Sequence, residues 1–459
     1  MYLEKNQLLP AFKSAQEKFN ADDIPILFSF TQAINLKGSM LELIEFNLEG
    51  IKGKCYWSQI SKKNQFLSFG ETLSANTNKT DKTTLNLNIE KDIRNSVSVN
   101  DTPQIEIPFF IGGQNFNLNQ RNSNIWKGVD AANYRVPEFL LIKNDDLITI
   151  TFFSLINNKT SFPDVYSRYF SYYNSIEKYE NKINHTSIKT QSKNIRIRKE
   201  EFIENVSEVK KLIDSKDISK IVLSNICEYS LEESISCSSL LESLEEKYPE
   251  CTVFYYSYTG VFLGASPEQV LHSNQSELMI DALAGSATRG ETPGEDTINQ
   301  KRLTEDKKIA EEHDIVVKGI LESLSKMNIE AECGDIHVLK LKNIQHLKTR
   351  IKAKNNSVNI MDILDALTPT PALSGYPKDE SIKIIENIES YDRGWYSGVV
   401  GWIGNNLNAD FYAGLRSAYI KDDYIYIYAG AGITIDSIPE DEWNEVINKM
   451  STIDEIINE

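Results

Sequence analysis

The chain is short of the residues that build redox and metal frameworks. Five cysteines and five histidines are scattered over 459 residues. Cys55, Cys227, Cys237, Cys251 and Cys333 are odd in number and never form C-x-x-C, and no H-E-x-x-H occurs. The pattern argues against a disulfide scaffold or a zinc site and fits a reducing cytoplasm. No run reaches the ~18 apolar residues a membrane span needs. The opening nineteen residues have no long apolar core and no small-residue cleavage site, which argues against a signal peptide. Basic residues are also in deficit: 49 Lys and Arg stand against 66 Asp and Glu, a formal charge of −17. Nucleic acids and anionic membranes require a basic face, so neither is an expected partner.

What is present describes a large soluble protein. Apolar residues make up 41% and charged residues 25%, an ordinary globular balance. The length exceeds what one simple core usually supports, which implies two lobes or one large two-layer domain. Residues 1–195 are rich in Asn, Ser and Lys, with a mobile stretch expected at Ser74–Asn88 and a connector at Thr186–Asn194. Strands are expected at Pro108–Gly113, Phe139–Ile142 and Leu147–Phe153. From Lys199 the patterning tightens. Lys199–Ser215 carries apolar residues at Phe202, Val206, Val209 and Ile213 and reads as a helix. A strand over Lys220–Tyr229 and a helix over Ser238–Lys247 follow, then a hairpin of Thr252–Tyr258 and Val261–Leu263. A long helix is expected from Asp296 to Met327, a second hairpin from Ala409–Ile420 and Tyr424–Ala429, and a closing helix from Pro439. Strands and helices do not alternate as β-α-β units. The fold class is therefore α+β with antiparallel sheets.

Several residues could carry chemistry. Ser437-Ile438-Pro439-Glu440 reads as a capping box with Pro in the first turn. Behind it Glu442, Glu445 and Lys449 share one helix face. A solvated charged face is the plainer reading; a carboxylate pair for a hard cation is the sharper one. Glu312 falls on the apolar stripe of Ile309, Val316 and Ile320; it is either an edge residue whose head escapes to water or a buried carboxylate that needs a partner, which a metal ion shared with Glu445 would supply. Lys220 opens a mostly apolar strand; it either points to solvent or is desolvated, which lowers a lysine pKa and favours a base. Glu268 follows the turn-forming Gly264-Ala265-Ser266-Pro267 and is either a rigidly held acid or a helix start. Arg416, expected mid-strand among Gly414, Ala418 and Ile420, is a candidate carboxylate clamp. Gly430-Ala431-Gly432 is either a plain tight turn or a place where backbone amides approach a ligand closely, without the G-x-G-x-x-G spacing of a dinucleotide site.

Taken in order, these segments resemble the chorismate-utilising enzymes, and within them the isochorismate synthases. The resemblance spans roughly Lys199–Ile457. It rests on Lys220-Ile221-Val222-Leu223-Ser224, Gly264-Ala265-Ser266-Pro267-Glu268, Leu283-Ala284-Gly285-Ser286-Ala287-Thr288-Arg289, Glu312-His313 and Pro369-Thr370-Pro371-Ala372-Leu373-Ser374-Gly375. Tyr396-Ser397-Gly398, Leu415-Arg416-Ser417-Ala418, Gly430-Ala431-Gly432-Ile433 and Glu442-Trp443-Asn444-Glu445 complete it. Gly112-Gly113, Trp126 and Pro137 look like weaker N-terminal landmarks. The resemblance implies large antiparallel sheets packed face to face with helices outside. Residues 1–195 would form a divergent part of the same fold, and 196–459 the chorismate-binding catalytic region.

It also implies Mg²⁺-dependent, reversible addition of water to C2 of chorismate with loss of the C4 hydroxyl. Lys220 matches the general base and Glu268 the general acid. Glu312 and Glu445 match the Mg²⁺ ligands, with Glu442 as a supporting carboxylate. Arg416 and Tyr396 match groups on the enolpyruvyl carboxylate, and Gly430 and Lys449 positions near the ring carboxylate. Gly285, Ser286, His346 and Ala372 match further substrate-binding positions. Lys220 favours water as nucleophile, because ammonia-using relatives such as anthranilate and aminodeoxychorismate synthases generally lack it. A salicylate synthase, which also eliminates pyruvate, is the main alternative, although those enzymes more often carry threonine at Ser286. A non-catalytic homologue that binds a carboxylate metabolite is the second alternative. Thr368, Ile309 and Asn225 depart from the usual pattern, and the Ile309 change bears on the surroundings of the metal. The partner implied is the small-molecule substrate. A monomer is the simplest expectation, a homodimer the other. Isochorismate feeds menaquinone, siderophore and salicylate synthesis, and the resemblance is common to all three.

Overall fold

The computed structural model describes residues 5–77, 82–100, 105–117, 124–180, 188–233, 235–274, 276–355 and 358–458. Among them are ten α-helices and two large sheets, of thirteen and nine strands. In the first sheet Lys220–Leu231 lies between Thr190–Ile195 and Tyr424–Ile433. The order continues through Ser417–Lys421, Val261–Ser266, Thr252–Ser257 and Lys54–Gln59 to strands from the first third of the chain. The second sheet runs from Ala331–Lys340 through Ile344–Lys354, Glu277–Thr288, Gln269–Ser273, Ala409–Ala413 and Val399–Gly404 to Pro108–Gln114, Ala132–Val136 and Leu73–Thr77. Strands from both sides of residue 195 thus enter both sheets. Neighbouring strands are antiparallel except Ile26–Ala33 with Val97–Asn100, which run parallel.

Aromatic side chains join the two sheets. Trp57 of the first meets Tyr412 of the second with ring centroids 5.6 Å apart, and Phe109 of the second meets Phe153 of the first at 5.2 Å. Central strands such as Ala409–Ala413 and Val399–Gly404 are buried along their whole length. Covered on both faces, Val399–Gly404 reads as a continuous apolar run rather than an alternating one, and the one charge in Ala409–Ala413, Asp410, accepts hydrogen bonds from Gln59 and Gln269.

Several sequence expectations need correction. Ser74–Asn88 is not a loop: Leu73–Thr77 pairs with Ala132–Val136, and Lys82–Arg94 is a helix, with 78–81 outside the described residues. Leu85, Ile89 and Ile93 are buried at four-residue spacing, a stripe concealed by the Asn- and Thr-rich composition. Of the expected connector Thr186–Asn194, residues 186 and 187 lie outside the described residues, and Thr190–Ile195 is a largely exposed edge strand. The long helix is two helices, Pro293–Glu305 and Lys307–Lys326. The break is at Asp306, whose carboxylate accepts hydrogen bonds from the Lys308 and Ile309 amides and so starts a new helix. Ser437 forms no capping box; Ile438 is the N-cap and the Ser437 hydroxyl instead accepts from the Thr434 amide. The Lys199–Ser215 helix has the expected bounds and buries Phe202, Val206, Val209 and Ile213.

Candidate active site

The site forms where the chain passes from one sheet to the other. Val261–Ser266 belongs to the first sheet and Gln269–Ser273 to the second, so Pro267-Glu268 is a crossing. Ala409–Ala413 belongs to the second and Ser417–Lys421 to the first, so Gly414-Leu415-Arg416 crosses back. Arg416 is therefore not mid-strand. It sits in the crossing with φ +46°, a backbone conformation unfavourable for a side chain of its size. The two crossings are tied together: the Ala413 amide donates to the Glu268 carbonyl at 3.0 Å, and the Ala265 amide to the Arg416 carbonyl at 3.2 Å.

Beside these crossings lies a cleft of about 730 Å³, counting space open to solvent. Lys220, Glu268, Glu312, Arg416, Glu445 and Lys449 all line it, as do Gly285, Ser286, His346, Ala372, Tyr396 and Gly430. Glu442 does not; it sits one helical turn before Glu445 with its carboxylate 3.3 Å from the Lys308 ammonium.

Lys220 does not point to solvent. Its residue is 1% exposed, and its Nζ lies 2.8 Å from Glu312 Oε1. Gly432 makes room for this pair, since a Cβ there would stand 2.5 Å from Lys220 Cε and 2.8 Å from Glu312 Oε1. Glu268 is equally buried and accepts a hydrogen bond from Thr370 Oγ1 at 3.1 Å. Burial pushes its carboxyl up to about 7, against the Thr370 hydrogen bond and the charges of Lys220 and Lys449. At neutral pH a large fraction of Glu268 is thus a neutral acid.

Opposite charges sit close together elsewhere in the cleft. Lys449 Nζ lies 2.6 Å from Glu445 Oε1 and donates to the Gly430 carbonyl at 2.9 Å. Burial opposes the charge on Glu445, but Lys449 and a hydrogen bond with Ser286 outweigh it and hold the carboxyl below its ordinary range. Burial, then the charge of Glu445, pushes Glu442 up to about 7. Arg416 Nη2 lies 2.8 Å from His346 Nε2. A guanidinium only donates, so His346 Nε2 accepts and its proton sits on Nδ1. Burial and the neighbouring Arg416 charge hold His346 far below its ordinary value, hence neutral. Tyr396 stacks on Tyr428 at 5.1 Å, and Trp126 Nε1 donates to the Tyr428 hydroxyl at 3.0 Å. The N-terminal landmark Trp126 therefore supports this wall. Gly285 has φ +75° at a register irregularity, and a Cβ there would stand 2.6 Å from Ile309 Cγ2.

Thr370, Val222, Leu373 and Tyr428 at the site were not singled out from sequence. Thr370 carried a usable signal, a hydroxyl between two prolines that leave the backbone little freedom. Two departures are structurally absorbed. Asn225 is buried, donating to the Ile197 carbonyl at 2.7 Å and accepting from the Ile197 and Ile226 amides. Thr368 donates to the Leu364 carbonyl and accepts from Gln114.

The acidic groups suit a hard cation. Among the described residues no three acidic, imidazole or thiol groups form a ready-made metal cage. Glu312 and Glu445 nevertheless face one cleft, offer only oxygen, and with Glu442 repel one another. Few carboxylates with space left for other oxygens is what Mg²⁺ prefers, so these residues fit it.

Known structures share this architecture. The menaquinone-specific isochorismate synthase MenF of Escherichia coli superposes with TM-score 0.79 at 20% identity, covering 97% of this chain and 100% of that one. Anthranilate synthase component I of Streptococcus pneumoniae gives 0.70 at 19% identity, covering 91% and 95%. In sequence, the isochorismate synthase MenF of Haemophilus influenzae is 33% identical over 241 residues, 52% of this chain and 56% of the relative. The salicylate biosynthesis isochorismate synthase of Pseudomonas aeruginosa is 37% identical over 199 residues, 43% and 42%. Anthranilate synthase component 1 of Bacillus caldotenax is 31% identical over 263 residues, 56% and 51%. The chain thus aligns with about half the length of the curated relatives it matches. The family model described as chorismate binding enzyme matches residues 13–458, and on that match the chain belongs to the chorismate-binding enzyme family.

Proposed function

We propose that this protein is an isochorismate synthase, using Mg²⁺ to interconvert chorismate and isochorismate. The observation that carries the reading is the pairing of a buried lysine, Lys220, with a buried carboxyl raised to about 7, Glu268, on one cleft. Relatives named isochorismate synthase and anthranilate synthase match almost equally, at 33% and 31% identity, so identity does not separate them. Lys220 favours the isochorismate synthase reading, because it supplies a base where an attacking water needs one.

Chorismate is a dianion. Arg416, held by His346, and Tyr396 receive the enolpyruvyl carboxylate. Lys449 and the Gly430 backbone lie near the ring carboxylate. Bound by Glu312 and Glu445, Mg²⁺ would supply the positive charge that neutralises that carboxylate. Lys220, in its neutral amine form, takes a proton from water as the water oxygen bonds to C2. The ring double bonds shift, the C4–oxygen bond breaks, and Glu268 protonates the leaving hydroxyl. One water enters and one leaves, so the reaction is a net isomerisation and runs in both directions. General acid and base terms of ~10²–10⁴-fold each are the ordinary scale for such groups.

Incubating the purified chain with chorismate and Mg²⁺, followed by chromatography, is expected to give isochorismate, and isochorismate is expected to return chorismate. Chelation of the metal abolishes both. Salicylate and pyruvate as main products would make the protein a salicylate synthase, and unconsumed chorismate would make it a binding homologue.

A further inference from the structure

The strand that carries Lys220 has a gap on one edge. Tyr424–Ile433 pairs with it continuously on one side, from Ile221 to Ser230. On the other side, Gly375–Tyr376 pairs only with Lys220 and Ile221, and Thr190–Ile195 pairs only from Cys227 onward. Between them the outward amide of Val222 reaches the Ser374 carbonyl at 3.0 Å. The Val222 carbonyl and the Ser224 amide have no strand to meet, and buried backbone groups require partners.

A buried ion pair fills the gap. Arg393 and Glu389 lie four residues apart with side chains 1% and 2% exposed, joined by Nη2–Oε1 at 2.6 Å and Nε–Oε2 at 2.8 Å. Arg393 Nη2 also donates to the Val222 carbonyl at 2.7 Å, and Nη1 to the Leu373 carbonyl at 3.0 Å. Glu389 Oε1 accepts from the Ser224 amide at 2.7 Å and the Ser224 hydroxyl at 2.9 Å. The Arg393 carbonyl accepts from the Tyr396 amide at 3.0 Å. Val222, Leu373 and Tyr396 all line the cleft. The two side chains therefore tie the Lys220 strand to the Leu373 wall, and the Arg393 backbone carries that anchor on to Tyr396.

We propose that Arg393 and Glu389 are positioning residues for turnover: they replace a missing strand and set the placement of Lys220 against the opposite wall of the cleft. The inference rests on the proposed activity. A pair kept for stability alone would be replaceable by apolar groups of similar size, because desolvation offsets much of a buried pair's attraction. A pair kept for position would not, because Met and Gln cannot donate to both the Val222 and Leu373 carbonyls.

The test compares wild type, Arg393→Lys, Arg393→Met, and Arg393→Met combined with Glu389→Gln, by thermal unfolding and by kcat and KM for chorismate with Mg²⁺. The single Arg393→Met variant leaves a buried unpaired carboxylate and is expected to lose stability. The double variant is expected to regain most of that stability while kcat stays at least about tenfold below wild type and KM changes by no more than about threefold. Arg393→Lys keeps the charge and loses the fork, and is expected to fold with a similar kcat deficit; it decides the question should the double variant not fold. Recovery of kcat together with stability in the double variant, or a wild-type kcat in Arg393→Lys, overturns the inference. An inactive wild type would instead remove the proposed function on which it rests.

Discussion

Replacing Lys220 with alanine is expected to lower kcat by about 10²–10⁴-fold while the protein remains folded. The side chain is buried, but its contacts are local to the cleft. The strand is held by backbone pairing of Lys220 with Tyr376 and by Ser381 Oγ donating to the Lys220 carbonyl, and neither needs the lysine side chain. Glu312 loses its partner in this variant, yet its side chain is 19% exposed and can be hydrated. Thermal unfolding should therefore change little while turnover collapses. Lys220→Arg should not restore the rate, because a guanidinium stays protonated and cannot accept a proton from water. A near-normal rate in either variant would remove Lys220 as the base.

The second large effect is expected from Glu268→Gln. The amide preserves shape and keeps an oxygen for Thr370, but it has no proton to give. A fall in kcat of about 10²–10⁴-fold is expected. The wild-type rate should decline as pH rises through about 7, where Glu268 loses its proton, and this limb should be absent in the variant. Wild-type stability should fall over the same pH range. The folded protein holds the Glu268 proton more tightly than the unfolded chain does. The resulting stabilisation is complete below the ordinary carboxyl range and is lost as pH rises through about 7. At pH 8 the wild type carries a buried carboxylate costing about 3 kcal/mol. Glu268→Gln should thus unfold at a higher temperature than wild type at pH 8, with the advantage shrinking toward pH 5. Equal pH dependence of the two unfolding curves would show that the carboxyl is not shifted.

How much of this could be read in the sequence depended on the range of the interactions involved. The Lys199–Ser215 and Pro439–Ile457 helices announce themselves through local periodicity and a first-turn proline. The cleft-lining residues could be named because their motifs are local in the chain. What stayed hidden depends on contacts distant in sequence. Arg416 looked like a strand residue because nothing local reveals that the chain changes sheets at Gly414-Leu415-Arg416. Ser437 had the chemistry of a cap, but its hydroxyl is taken by the Thr434 amide. Lys220 could not be assigned to core or solvent until Glu312, on a helix over ninety residues away, was placed against it. The Arg393–Glu389 pair was invisible for the same reason: its purpose is set by two carbonyls, one 171 and one 20 residues away.

The central claim is that Lys220 and Glu268 add a solvent water to one ring carbon while expelling the hydroxyl from another. The most direct test is turnover of chorismate with Mg²⁺ in water enriched in oxygen-18, followed by mass spectrometry of the product. One oxygen-18 atom located at C2 of isochorismate is the expected result. Unlabelled isochorismate, formed by migration of the C4 hydroxyl within the substrate, would contradict the account.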